Sequence, residues 1–230
     1  MRMFCIPYFE CVRLKMRKTD KTTILNKLKS ILLVFGTAIL YLGPGAFVPM
    51  EAVHDFYPIL FLVILFIVLY IAIKTGVFAH FKETFRLQNL LWLLGFVIVG
   101  YILGNIAHYL YLRFVPALDT IVENEATNNF VDSFLPTWFV YILMVVIAPI
   151  YEELMFREYF YRFFSHKWLA YILSILLFTL IHTRLTWSFF EYLPMSVIVT
   201  STFHRYKRVS DSIIVHGGYN LMVLIFHIII

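Results

Sequence analysis

Charge is what this sequence has least of. Asp, Glu, Lys and Arg make up 14% of the 230 residues, while 61% are hydrophobic. Soluble domains run about 25% charged and about 45–50% apolar, so the shortage excludes a globular domain with one greasy face. Cysteine is scarce as well. Cys5 and Cys11 sit in a basic leader with no Cys/His cluster to complete a zinc site, and a disulfide is not expected on the cytoplasmic side. No HExxH occurs, so the helical zinc-protease signature is missing. No internal repeat is visible, which argues against a transporter built from two matching halves.

Long apolar runs are what is there. At 1.5 Å per residue, runs long enough to cross about 30 Å of hydrocarbon fall near 31–50, 57–73, 89–112, 136–164, 168–187, 188–204 and 209–230. The expectation is an all-α, polytopic integral membrane protein of about seven transmembrane helices in a single membrane domain. The count becomes six or eight if 184–191 is re-entrant or if the GPG at 43–45 breaks the first span. The chain divides into a basic cytoplasmic leader (1–30), N-terminal transmembrane helices (31–135) and a C-terminal transmembrane core (136–230).

The net charge of +5 does not point to nucleic acid. Arg2, Arg13, Lys15, Arg17, Lys18, Lys21, Lys27 and Lys29 are crowded into the leader beside the first apolar run, as in a cytoplasmic anchor on membrane lipid. Connections then alternate in sign. Glu51 and Asp55 precede the second span. Lys74, Lys82 and Arg86 follow it. Asp119, Glu123, Glu125 and Asp132 lie between the third and fourth, Arg162 and Lys167 after the fourth, and Arg205, Lys207 and Arg208 before the last. The positive-inside rule therefore implies a multi-pass protein of the cell membrane with a cytoplasmic N-terminus.

The stretch YEELMFREYF at 151–160 stands out, because a charged side chain at a helix centre in lipid costs about 2.5–3.5 kcal/mol on the insertion scale. Glu153 and Arg157 are i,i+4 with the acid first, the favourable order for pairing. Glu152 points roughly 100° away from Glu153 and has no partner in its own helix. Two further polar groups lie at comparable depth: Phe178 one turn before His182, and His216 one turn before Asn220. Ionisable residues inside a membrane are functional candidates by default. His108 and Asn105 are read as packing residues that bond within the helix bundle.

EExxxR at 152–157, FxxxH at 178–182 and HxxxN at 216–220, in this order and each on an apolar helix, resemble the three motifs of the CPBP family of CAAX proteases and bacteriocin-processing enzymes, also called Abi proteins. The resemblance covers about 140–225, and would make 136–230 a CPBP-like catalytic core. It implies that Glu152 and His182 activate a water for attack on a peptide carbonyl. His216 and Asn220 would stabilise the oxyanion, while Glu153, Arg157 and Phe178 support the site. The implied function is an intramembrane endopeptidase acting on a membrane-associated peptide or protein precursor, in bacteriocin or signalling-peptide maturation or in self-immunity. Gly217 and Gly218 leave room for a substrate backbone beside His216.

Two alternatives stay open at this point. One is a non-catalytic membrane scaffold or immunity protein of the same fold. The other is a transporter that uses Glu152 as a proton carrier. The cofactor question is open too. Glu152, His182 and His216 are all zinc-ligand types, and three ligands plus a water would make an open catalytic site for zinc or another divalent metal. The resemblance favours no obligatory metal, because an oxyanion pair employs His216 otherwise.

Overall fold

The computed structural model describes residues 8–42, 50–115, 135–183 and 186–229, with side chains described within 24–41, 56–115, 135–183 and 186–226. Cys5, the GPG, the acidic stretch 116–134 and Arg184 therefore lie outside the described residues, as do the side chains of Cys11, Glu51, Asp55 and most of the leader's basic residues.

Every described element is helical: α1 (Tyr8–Leu42), α2 (Met50–Lys74), the single turn α3 (Phe81–Thr84), α4 (Leu87–Phe114), α5 (Thr137–Phe163), α6 (Lys167–Thr183), α7 (Phe189–Tyr206) and α8 (Val209–Ile229). From Tyr8 on, the leader and the first apolar run form one continuous helix to Leu42. Five stretches are long and apolar enough to cross a membrane: Ile24–Tyr41, Phe56–Lys74, Leu87–Phe114, Thr137–Phe163 and Val209–Phe226. α6 is shorter, and α7 carries Glu191 and Arg205 at its two ends. This is an all-α polytopic membrane protein.

The surface agrees with lipid as the solvent. Leu32, Phe66, Leu87, Phe114 and Trp168 each expose about 70% or more of their area. Water would not tolerate a bundle coated this way, whereas acyl chains cover it without cost. The helices alternate in direction, as side-chain contacts at their two ends record. At one end Thr84 meets Asp211, Arg205 lies over Trp92, Lys207 over Tyr161 and Lys27 over Phe163. At the other, His108 meets Glu191, Tyr101 stacks on Phe226, and Tyr41 reaches Glu152 from the side.

The turn from α7 to α8 needs only Lys207 in a left-handed conformation (φ 55°), which lets its N–H bond the Phe203 carbonyl at 2.7 Å. Beside it, Arg208 pairs with Asp211 at 2.7 Å, Glu83 at 3.2 Å and Asn89 at 2.8 Å, and Thr84 donates to Asp211 at 2.7 Å. These bonds staple α3, α4 and α8 together at the basic end. α7 packs between α4 and α6, α8 closes against α4, α7 and the first half of α5, and α1 lies along the last half of α5. Two buried clusters result. One surrounds Phe61, Phe139, Tyr151 and Leu154; the other surrounds Leu93, Phe156, Phe178, Val199 and Val215. The polar motifs lie between and beside them.

Candidate active site

The site begins with an irregular helix. α5 is not a uniform α-helix: Leu143–Ile147 and Leu154–Tyr159 are π-helical segments, a widening often found at functional sites. Pro149 accounts for part of the first. In that segment the Ala148 N–H bonds the Leu143 carbonyl, five residues back. The next donor in register would be residue 149, and proline has no N–H. The Met144 carbonyl thus lacks a backbone donor, and the side-chain amide of Asn220 supplies one at 2.8 Å. The neighbouring Val145 carbonyl faces Gly217 so closely that a Cβ there would sit 2.5 Å from its oxygen. α8 docks on the two carbonyls that the proline disturbs, and it needs a glycine to do so.

One turn later the two adjacent glutamates face different partners. Glu153, fully buried, lies 3.1 Å from Arg157, and its carboxylate accepts a hydrogen bond from Nδ1 of His216 at 2.9 Å. The Arg157 contact is a close charge pair rather than an aligned hydrogen bond, since Nη1 is not directed along an N–H at any acceptor. Arg157 is held further by Thr200 at 3.2 Å and by the Phe178 ring, 4.1 Å from its guanidinium carbon. Glu158 is paired with Arg162, so three of the four charges in the 151–160 stretch serve pairs within α5.

Glu152 has no partner within α5 and turns to side chains of α1, α6 and α8. Its Oε2 lies 3.6 Å from Nε2 of His182 and 3.8 Å from Nε2 of His216, and the Tyr41 hydroxyl is 3.5 Å from Oε1. The Nδ1 of His182 donates to the Phe178 carbonyl at 2.7 Å, which fixes the ring's orientation. Phe178 walls both imidazoles, with ring centroids 4.4 Å from His182 and 5.7 Å from His216. Tyr192 stacks on the free face of His182.

These groups line a cavity of about 340 Å³ that includes Glu152, His182, His216 and Asn220 together with Tyr192 and Tyr219. A second cavity of about 550 Å³, walled by Tyr101, Asn105, His108 and Phe226, shares Glu191, Tyr219 and Val223 with the first. His108 is bonded to Glu191 at 2.7 Å and Asn105 to the Tyr101 carbonyl at 2.8 Å. Both also line open space, which a reading as packing residues does not anticipate. Sequence reasoning passed over Tyr41, Tyr192, Tyr219 and Thr200. They are ordinary aromatic or hydroxyl residues in apolar runs, without a local signal. Glu191 had one, as an acid interrupting an apolar stretch.

Glu152, His182 and His216 have the right chemistry, but among the described residues no group of three His, Cys, Asp or Glu side chains is arranged to hold a metal ion. His216 is also turned by its bond to Glu153. The geometry suits a carboxylate and two imidazoles sharing a water.

Residues 134–222 match the family described as type II CAAX prenyl endopeptidase Rce1-like. Relatives in Lactococcus lactis subsp. lactis (strain IL1403) include the UPF0177 protein YbdJ, 37% identical over 88% of this chain and 92% of its own length. The UPF0177 protein YaiF is 28% identical over 73% and 78%, and YajF is 34% identical over 63% and 70%. No solved structure matches the chain.

Proposed function

The chain belongs to the CPBP family of membrane proteases, alongside its UPF0177 relatives, and from that premise we propose that it is an intramembrane endopeptidase that hydrolyses a peptide bond with a glutamate-activated water. One observation carries the reading. Glu152 Oε2 stands between the Nε2 atoms of His182 and His216, at 3.6 and 3.8 Å, in a cavity large enough for a peptide segment.

The steps follow from the placement of the groups. A water between Glu152 and His182 gives a proton to the carboxylate as its oxygen adds to the scissile carbonyl. The oxyanion forms on the α8 side. There Asn220 uses one Nδ2 hydrogen on Met144 and keeps the second for the pocket. His216, held at Nδ1 by Glu153, presents Nε2 to the same side. Donors already aimed at the developing charge supply much of the rate enhancement in such reactions. Collapse breaks the C–N bond, and the proton held by Glu152 passes to the leaving amine. The products are a carboxylic acid and an amine.

By the alternation of basic and acidic connections we place the protein in the cell membrane, multi-pass, with its N-terminus in the cytoplasm. Its substrate in this reading is a membrane-associated peptide or protein precursor, of the bacteriocin or signalling-peptide kind, and its partners are that chain and lipid. The test is terminal-amine profiling of membranes and medium from cells expressing the natural chain or Glu152→Gln. New N-termini should appear with the natural chain and vanish with the variant at equal membrane abundance. Identical profiles would leave a non-catalytic scaffold of the same fold as the better account.

A further inference from the structure

The two ends of the bundle differ in charge and in closure. Among the described residues, Lys27, Lys74, Lys82, Arg86, Arg162, Lys167, Arg205, Lys207 and Arg208 all lie at or near one end, while Arg113 is the one cation at the other. The basic end is plugged. Thr84, Tyr161, Phe203, Val209, Asp211 and Ser212 are each at most 3% exposed there. The Arg208–Asp211–Asn89–Thr84 network crosses the same level.

Both cavities lie away from that plug. On α8, residues 216, 219, 220 and 223 stand about 10–21 Å beyond Val209 at 1.5 Å per residue. On α7, Glu191 and Tyr192 are in the first turn, the end remote from Arg205. On α4, Tyr101 to His108 lie in the half remote from Arg86. The second cavity therefore continues the first toward the face opposite the basic one, through the shared walls Glu191, Tyr219 and Val223. Asn105 and His108, on its wall, are exposed.

We propose that the substrate reaches Glu152 from the membrane face opposite the basic one, entering by the cavity between α4, α7 and α8. With the basic end cytoplasmic, the enzyme cuts polypeptide already carried across the membrane: an exported peptide, or the outer flank of a membrane-anchored precursor. Segments confined to the cytoplasm meet the plugged end. This inference rests on the protease reading for its substrate and on the geometry for its direction.

Cysteine labelling tests the direction without any activity. Cys5 and Cys11 are replaced by serine, and Asn105→Cys and Lys82→Cys are introduced singly, one on the cavity wall and one at the basic end. A membrane-impermeant maleimide is then applied to intact cells and to inverted vesicles. Asn105→Cys should label in intact cells and Lys82→Cys in inverted vesicles alone. The reverse pattern overturns the proposal, as does an Asn105→Cys thiol that reacts from neither side or from both. If labelling follows the expected pattern but terminal-amine profiling finds no cleavage, the geometry stands and the protease reading fails.

Discussion

The side-chain amide of Asn220 donates to the Met144 carbonyl at 2.8 Å, across two helices and next to the proline that deprives that carbonyl of its own donor. This single bond ties an irregularity of α5 to the orientation of a pocket group on α8. Pro149 is thereby a positioning residue for Asn220. Pro149→Ala supplies an N–H that competes for the carbonyl and frees the amide to rotate. Cleavage should fall about tenfold, where loss of a whole oxyanion donor costs about 10²–10³-fold in kcat. Thermal stability should hold or rise, since alanine is the better helix former. A kcat measured in the Asn220→Ala background should show no further loss from Pro149→Ala; an additive loss would mean that the proline acts elsewhere.

Two glycines make a contrast in packing. A Cβ on Gly217 meets the Val145 backbone oxygen at 2.5 Å, whereas one on Gly104 meets the Tyr219 hydroxyl at 2.4 Å. Backbone cannot swing aside and a tyrosine can. Gly217→Ala should therefore cost about 1–3 kcal/mol, the usual range for overpacking. Gly104→Ala should cost less, while shifting Tyr219 within the pocket. Thermal melts of the two variants in one detergent decide the order.

The adjacent glutamates should fail in different ways. Glu153 is buried against Arg157 and His216. Truncating Arg157 to alanine strands its charge, at about 3–5 kcal/mol, and should empty the membrane of folded protein. Glu152→Gln keeps the volume and should leave abundance and melting intact while cleavage disappears. Quantitative immunoblots beside the cleavage assay separate the two outcomes.

Chelation probes the site in another way. On the proposed reading of a glutamate-activated water, the purified protein dialysed against a strong chelator should retain its cleavage of substrate, and added zinc should not raise it; among the described residues no three His, Cys, Asp or Glu side chains are arranged to hold a metal ion. Activity lost on dialysis and restored by a divalent ion would mean that the side chains rearrange around a metal.

The basic end carries a pH dependence of its own. A hydrogen bond from His80, aided by Arg208, holds the Glu83 carboxyl below its ordinary range. A depressed carboxylate contributes stability above its unfolded value and loses it as the pH falls through the folded one. Melting temperature should therefore drop on acidification below the ordinary carboxylate range, and less so in Glu83→Gln. Because the group is at the surface, the difference should be small.

Much of the architecture was legible from residue order. The ends of Leu87–Phe114, Thr137–Phe163 and Val209–Ile229 fall within about two residues of the apolar runs near 89–112, 136–164 and 209–230. Lipid rewards unbroken apolar sequence, and any polar interruption is conspicuous. The Glu153–Arg157 pair was legible as well, since i,i+4 spacing is local. The π-helical segments were not: nothing in LMVVI or LMFREY distinguishes a five-residue register from a four-residue one. The bond from His216 to Glu153, 63 residues apart, was invisible for a different reason, because it depends on the angle at which α8 crosses α5.

By itself the sequence determined that this chain is an all-α membrane protein, where its long apolar helices run, and which few polar side chains had to be accommodated among them. Short-range physics suffices for those matters: hydrophobic length, helical spacing and the cost of charge in hydrocarbon. Only the tertiary structure decided which glutamate is spent on holding the bundle and which is left facing two imidazoles, and that the pocket opens away from the basic end. Those outcomes depend on where separate helices touch, and contact between distant segments is set by packing rather than by any local pattern of residues.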